Sequence, residues 1–83
     1  MNYYEALKVG IIIVYDNDGD NYCSFTLDNS GKIIQRINGV GVMHTDYTEV
    51  NFNAIMEELF NDNFYIKIII CKNIRKYMRR IKQ

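Results

Sequence analysis

The chain has 83 residues, of which 48% are hydrophobic, and its ten acids and ten bases give a formal net charge of zero. This length and composition predict one small globular domain, residues 1–83, and are not typical of a disordered chain. The first residues show no signal-peptide pattern, and no apolar run approaches the roughly 20 residues that span a bilayer. We therefore expect a cytoplasmic protein with no membrane partner.

The charges are unevenly distributed along the sequence. Residues 1–62 carry all ten acids and three bases, whereas residues 63–83 carry seven bases and no acid. Such asymmetry predicts either a binding surface for a charged partner or two oppositely charged surfaces that meet.

The first half of the sequence has the pattern of β-strands. Residues 9–15 are β-branched and aromatic, residues 21–27 alternate in polarity, and residues 32–37 place isoleucines on both faces. Two short segments rich in Asp, Asn and Gly separate them and predict turns. The pattern predicts an antiparallel meander, followed by a fourth short strand at residues 40–43.

The second half predicts two helices around one strand. An apolar stripe predicts a helix that begins near Asn51, with Thr48 or Asn51 as its N-cap. Residues 64–71 have apolar side chains on both faces, which predicts a strand in the centre of the sheet. Residues 73–82 predict a second amphipathic helix, and residues 2–8 a further helical turn. The stripe of the first helix consists of Phe52, Ile55, Met56, Leu59 and Phe60.

These elements together predict the fold class. The predicted class is α+β, with an antiparallel β-meander that has one central late strand and with two amphipathic helices packed on one face of the sheet.

Side chains suited to catalysis are few and scattered. His44 is the only histidine, so no zinc site with a standard ligand set forms within one chain. A dyad of His44 with Cys23 or Cys71 has no local sequence signature. No phosphate-binding glycine motif is present. We therefore expect a protein that is not an enzyme and that uses no cofactor and no metal.

Residues 16–20 read Asp-Asn-Asp-Gly-Asp and begin like a calcium-binding loop, with carboxylates at alternate positions. The sixth position is Asn21 instead of glycine and the twelfth is Leu27 instead of glutamate, so we predict an acidic hairpin turn. Its carboxylates form a secondary candidate surface, which could engage the basic groove of a nuclease by mimicking phosphates. The residues are Asp16, Asp18 and Asp20.

A cluster of bases near the end of the sequence is the first candidate for partner binding. Six bases fall within eleven residues, on the polar side of the last predicted helix. Four explanations stay open: contact with the acidic surface of the same chain or of a second copy, an acidic partner protein, nucleic acid or a nucleotide, and a solvated helix face. The residues are Lys72, Arg75, Lys76, Arg79, Arg80 and Lys82.

Two segments carry a resemblance to a known class of proteins. Residues 2–10, Asn-Tyr-Tyr-Glu-Ala-Leu-Lys-Val-Gly, and residues 59–66, Leu-Phe-Asn-Asp-Asn-Phe-Tyr-Ile, resemble the start and finish of the anti-Thoeris sponges of phages. The helix before Gly10 is a turn shorter here, and the aromatic, basic stretch that usually follows the glycine is missing. The chain is also similar in style to anti-CRISPR proteins, which act by occupying a nuclease surface.

The leading hypothesis is a non-enzymatic inhibitor from a phage or mobile element that binds a host protein, such as a nuclease or defence effector, through charged patches. One alternative is a sequestering protein for a signalling nucleotide, held between the subunits of a homodimer by Arg and Tyr side chains. Another is a nucleic-acid-binding module that uses residues 72–82.

Overall fold

The computed structural model describes residues 1–70, which form two helices and five strands. The helices are α1 (Tyr3–Leu7) and α2 (Glu49–Asn61). Neither helix in this part of the chain has the length and apolar character needed to cross a membrane. The strands are β1 (Gly10–Tyr15), β2 (Tyr22–Leu27), β3 (Ile33–Ile37), β4 (Gly41–His44) and β5 (Tyr65–Ile70).

The strands form one sheet in the order β4-β3-β2-β1-β5, and every neighbouring pair is antiparallel. Short connections join β1 through β4 in sequence, because Asp, Asn and Gly residues reverse the chain between them. Gly19 and Gly31 adopt positive φ angles of 76° and 86°, which glycine tolerates at no steric cost. The predicted α+β class and the antiparallel meander are confirmed.

The position of β5 differs from the prediction. Within residues 1–70, β5 pairs with β1 and lies at the edge of the sheet, not in its centre. The run of isoleucines identified a strand correctly, but strand composition does not record how many neighbours a strand has. On the face away from the helices, Tyr65 and Lys67 are exposed. The second amphipathic helix, predicted for residues 73–82, lies outside the described residues.

Thr48, one of the two predicted N-caps, begins helix α2. The hydroxyl of Thr48 accepts a hydrogen bond from the backbone N–H of Asn51 at 3.2 Å, so Thr48 is the N-cap. One turn later Phe52 is fully buried, and its ring meets that of Phe25 edge-on, with centroids 5.2 Å apart. This contact fixes α2 on the face of the sheet to which Phe25 points, which we call the helix face.

Helix α1 lies beside α2 through a reciprocal pair of asparagines. The side-chain oxygen of Asn2 caps α1 by accepting from the backbone N–H of Glu5 at 3.1 Å, and it also accepts from the Asn53 amide at 3.0 Å. The Asn53 oxygen in turn accepts from the backbone N–H of Tyr4 at 2.9 Å. Both helices therefore contribute side chains to one hydrophobic core. The core residues are Tyr3, Leu7, Ile12, Val14, Phe25, Ile33, Phe52 and Met56.

The opposite face of the sheet is covered by neither α1 nor α2, and we call it the open face. Because successive side chains of a strand alternate between faces, the register assigns its members. It carries isoleucines near the middle of the sheet and tyrosines at one end. Its residues are Ile11, Ile13, Tyr15, Tyr22, Ser24, Thr26, Ile34, Arg36, Val42, His44, Tyr65, Lys67 and Ile69.

Candidate functional site

The turn between β1 and β2 is held together by one of its own carboxylates. The side-chain oxygens of Asp16 accept hydrogen bonds from the backbone N–H of Asp20 at 3.0 Å and from the side-chain amide of Asn21 at 3.1 Å. The backbone carbonyl of Asp16 also accepts from the N–H of Gly19 at 3.1 Å. These bonds, above all that from Asn21, hold the pKa of the Asp16 carboxyl below its usual range. Asp16 therefore acts as a structural element of the turn.

The two other acids of the turn are available for a partner. Asp18 and Asp20 are exposed, and within residues 1–70 their carboxylates take part in no hydrogen bond or ion pair. The predicted acidic patch is thus two free carboxylates, Asp18 and Asp20, supported by Asp16.

Three tyrosines cross the open face next to this turn. Tyr15 is the direct cross-strand partner of both Tyr22 on β2 and Tyr65 on β5. The ring centroids are 5.9 Å apart for Tyr15 and Tyr22, and 5.8 Å apart for Tyr15 and Tyr65. The flanking rings are accessible, with Tyr22 37% and Tyr65 63% exposed. We call these three residues the tyrosine row.

Two members of the tyrosine row and the turn line a shallow hollow of about 380 Å³. Its lining consists of Tyr15, Tyr65, Lys67 and residues 16–19. Aromatic rings supply contact area at little cost in side-chain entropy, and carboxylates beside them supply charge. The arrangement of rings and carboxylates is suited to binding.

Sequence reasoning found the acidic turn but missed the tyrosine row. Tyr15 and Tyr22 flank the turn symmetrically, so the hairpin register offered a signal for that pair. Tyr65 lies far away in sequence, and only the pairing of β5 with β1 brings it to the row. The basic residues of the first candidate surface, Lys72, Arg75, Lys76, Arg79, Arg80 and Lys82, lie outside the described residues.

Of the candidate catalytic groups, Cys23 and His44 lie on opposite faces of the sheet. Cys23 points to the helix face, and His44, whose cross-strand partner is Ile34, belongs to the open face. Burial raises the pKa of the Cys23 thiol, so the unreactive protonated form dominates at neutral pH. Throughout residues 1–70, His, Cys, Asp and Glu side chains form no group of three or more that could hold a metal ion. Cys71 lies outside the described residues.

No protein family, curated protein or solved structure matches the chain. The resemblance to phage anti-defence proteins therefore stays a prediction.

Proposed function

We propose that the chain is a non-enzymatic binding protein that inhibits a bacterial defence protein by covering a basic, nucleic-acid-binding surface. The observation that carries this proposal is the tyrosine row beside Asp18 and Asp20. Tyrosine is enriched at protein interfaces because its ring buries a large area while its hydroxyl satisfies a polar neighbour. The two free carboxylates add a charge that a groove built for phosphates would attract.

The overall charge of the described region supports the same partner chemistry. Residues 1–70 carry ten acids and four bases. The local field of this acidic region attracts a basic groove and orients the encounter, although six bases in residues 71–83 bring the formal net charge of the whole chain to zero. The same field opposes the approach of nucleic acid or of a phosphorylated nucleotide to this region. In the hollow beside the tyrosine row, one base, Lys67, lines the same space as two acids, Asp16 and Asp18.

The proposed mode of inhibition is occupancy. The tyrosine rings supply the central contact, and Asp18 and Asp20 take the positions that phosphates occupy on the target. Such contacts between exposed charges are screened by salt, so the association rate should fall with ionic strength. No covalent step and no cofactor are part of the mechanism.

A plating assay tests the proposal. Phage titre is measured on bacteria that carry one nuclease-based defence system and on an isogenic strain without it, each expressing the chain. The chain should raise the efficiency of plating only on the defended strain. The variant with both Asp18→Lys and Asp20→Lys should lose this effect.

A second charge reversal provides the matched control. Glu57 and Glu58 are exposed on α2, in the layer away from the open face, and within residues 1–70 Glu57 makes one ion pair, a 3.6 Å contact with the N-terminal amine. The variant Glu57→Lys with Glu58→Lys changes the net charge equally and should keep the effect. Two results would overturn the proposal: no rise in plating on any defended strain, or equal loss in both variants.

Purified protein separates the alternatives. A gel shift with random DNA or RNA at about 50 mM salt would favour nucleic-acid binding, since that affinity is largely electrostatic. A rise in melting temperature with signalling nucleotides would favour a sequestering protein. We expect neither effect.

A further inference from the structure

A second hollow lies between α2 and the helix face of the sheet, at the same end as the acidic turn. It has a volume of about 390 Å³, within the range of roughly 300–1,000 Å³ that is usual for small-molecule sites. Phe25, Gln35 and Ile37 form its floor, Leu59 of α2 one wall, and Tyr47 another. Most of this lining is apolar, so a ligand with a hydrophobic ring would displace poorly bound water from it.

The charged group at this hollow is an acid. Asp16 lines its mouth, and the described lining residues include no Lys, Arg or His. The Asp16 carboxylate is ionised at neutral pH, and the hydrogen bonds that it accepts from its own turn lower its pKa further. An anionic ligand would therefore be repelled, and a cation would be attracted to the rim.

The remaining polar groups at the hollow are neutral. Gln35 and Cys23 both line the hollow, burial raises the pKa of the Cys23 thiol, and the Tyr47 side chain is accessible. A few polar groups set among apolar walls fix the orientation of a ligand without requiring it to carry a negative charge.

We propose that this hollow is a binding site for a small aromatic amine. The ring packs among Phe25, Ile37 and Leu59, and the ammonium group lies at the Asp16 carboxylate. Asp16 and Tyr22 also line this hollow, so the site adjoins the proposed partner surface at the acidic turn, while the side chains of Phe25, Ile37 and Leu59 lie on the helix face. The inference does not depend on the proposed function.

Three indoles with side chains of different charge provide the test, titrated into the full chain and followed by calorimetry. Tryptamine carries an ammonium group, tryptophol carries a neutral hydroxyl on the same two-carbon chain, and indole-3-acetate carries a carboxylate. Tryptamine should bind about fivefold more tightly than tryptophol, since its contact with Asp16 lies near the surface. Indole-3-acetate should bind most weakly. In Asp16→Asn, whose amide oxygen still accepts from the Asp20 N–H but which loses the bond from Asn21, tryptamine and tryptophol should bind equally.

Filling the hollow tests its location. Leu59→Trp places a bulky ring in the hollow and should abolish binding of all three indoles. Val42→Trp adds an equal ring on the open face and should leave binding unchanged. Equal affinity for the three indoles, or normal tryptamine binding in folded Leu59→Trp, would overturn the proposal.

Alkylation of Cys23 gives a readout that needs no core substitution. In a Cys71→Ser background, tryptamine should slow the reaction of Cys23 with iodoacetamide, because the thiol lines the hollow. An alkylation rate that is unchanged at saturating tryptamine would place the ligand elsewhere and would contradict the proposal.

Discussion

The rings of Tyr15 and Tyr65 lie 5.8 Å apart because the two residues are direct partners across β1 and β5. Fifty positions separate them in sequence, so their contact exists only when β5 has joined the sheet. The same pairing places Tyr65 beside the acidic turn. The proposed partner surface is thus a product of the fold and not of a local motif.

Replacing Tyr65 by alanine tests the tyrosine row. Because Tyr65 is largely exposed, the free energy of unfolding should fall by about 1 kcal/mol or less. Partner affinity should fall by about tenfold or more, since tyrosines at the centre of interfaces often dominate binding. Val42→Ala, at the opposite edge of the same face and 58% exposed, is the control for both measurements. Unchanged affinity in Tyr65→Ala would remove the row from the partner surface.

Phe52→Ala tests the contact that holds α2 on the sheet. Phe52 is fully buried against Phe25, and its loss should lower the free energy of unfolding by about 3–5 kcal/mol through lost burial and the cavity left behind. Phe60 belongs to the same helix but is 59% exposed, so Phe60→Ala should cost less than about 1 kcal/mol. Urea unfolding monitored by circular dichroism measures both values. Similar losses in the two variants would contradict the proposed core.

Gly10→Ala tests the close approach of β1 and β5. A Cβ at residue 10 would overlap the backbone carbonyl oxygen of Ile69, and a strand backbone moves less readily than a side chain. We expect a loss of about 2 kcal/mol or more in the free energy of unfolding. Gly41→Ala in β4 is the control, since its Cβ would meet nothing within 4 Å. If both variants unfold at the same urea concentration, the proposed approach of the strands is wrong.

The stability of the protein at low pH tests the two carboxylates, Asp16 and Asp28, that accept hydrogen bonds within their turns. Asp28 accepts hydrogen bonds from the Ser30 hydroxyl at 2.7 Å, the Ser30 N–H at 2.8 Å and the Lys32 N–H at 2.9 Å, which lower its pKa. Asp16 has a lowered pKa for a similar reason. In the unfolded chain the pKa of each carboxyl returns to about 3.8. The unfolded chain therefore binds protons at these groups more readily than the folded protein does. Their stabilisation is therefore complete above this pH and is lost as the pH falls through the lower folded-state values.

Asp28→Asn should consequently reduce the loss of stability seen between about pH 4 and pH 2. Asp18→Asn is the control, because no hydrogen bond of the described residues involves its carboxylate. Thermal unfolding across this range measures the effect. If the stability of Asp28→Asn depends on pH just as that of the wild type does, the hydrogen bonds of Asp28 do not contribute this stabilisation.

Much of the fold was predictable because local rules and tertiary packing agree. The alternation in residues 21–27 assigned Phe25 to a buried face, and the helical stripe through Phe52 assigned the facing side of α2. Thr48, one of two expected caps, is the one used, since its hydroxyl reaches the N–H of Asn51. These features are decided within a few residues of sequence.

The rest could not be predicted because it depends on which strands become neighbours. The isoleucines of β5 predicted a strand but not its place at the edge of the described sheet. The acids of the first turn predicted one uniform patch, yet Asp16 folds back on the turn while Asp18 and Asp20 remain free. The tyrosine row required the register of two separate strand pairs.

The measurement that tests the central claim most directly is the affinity of the purified chain for the nuclease of whichever defence system the plating assay identifies. Titration calorimetry would compare the wild type with two charge reversals, Asp18→Lys with Asp20→Lys and Glu57→Lys with Glu58→Lys. The account predicts that the first reversal weakens binding by about tenfold or more and that the second has little effect. Equal affinities for all three proteins would contradict it.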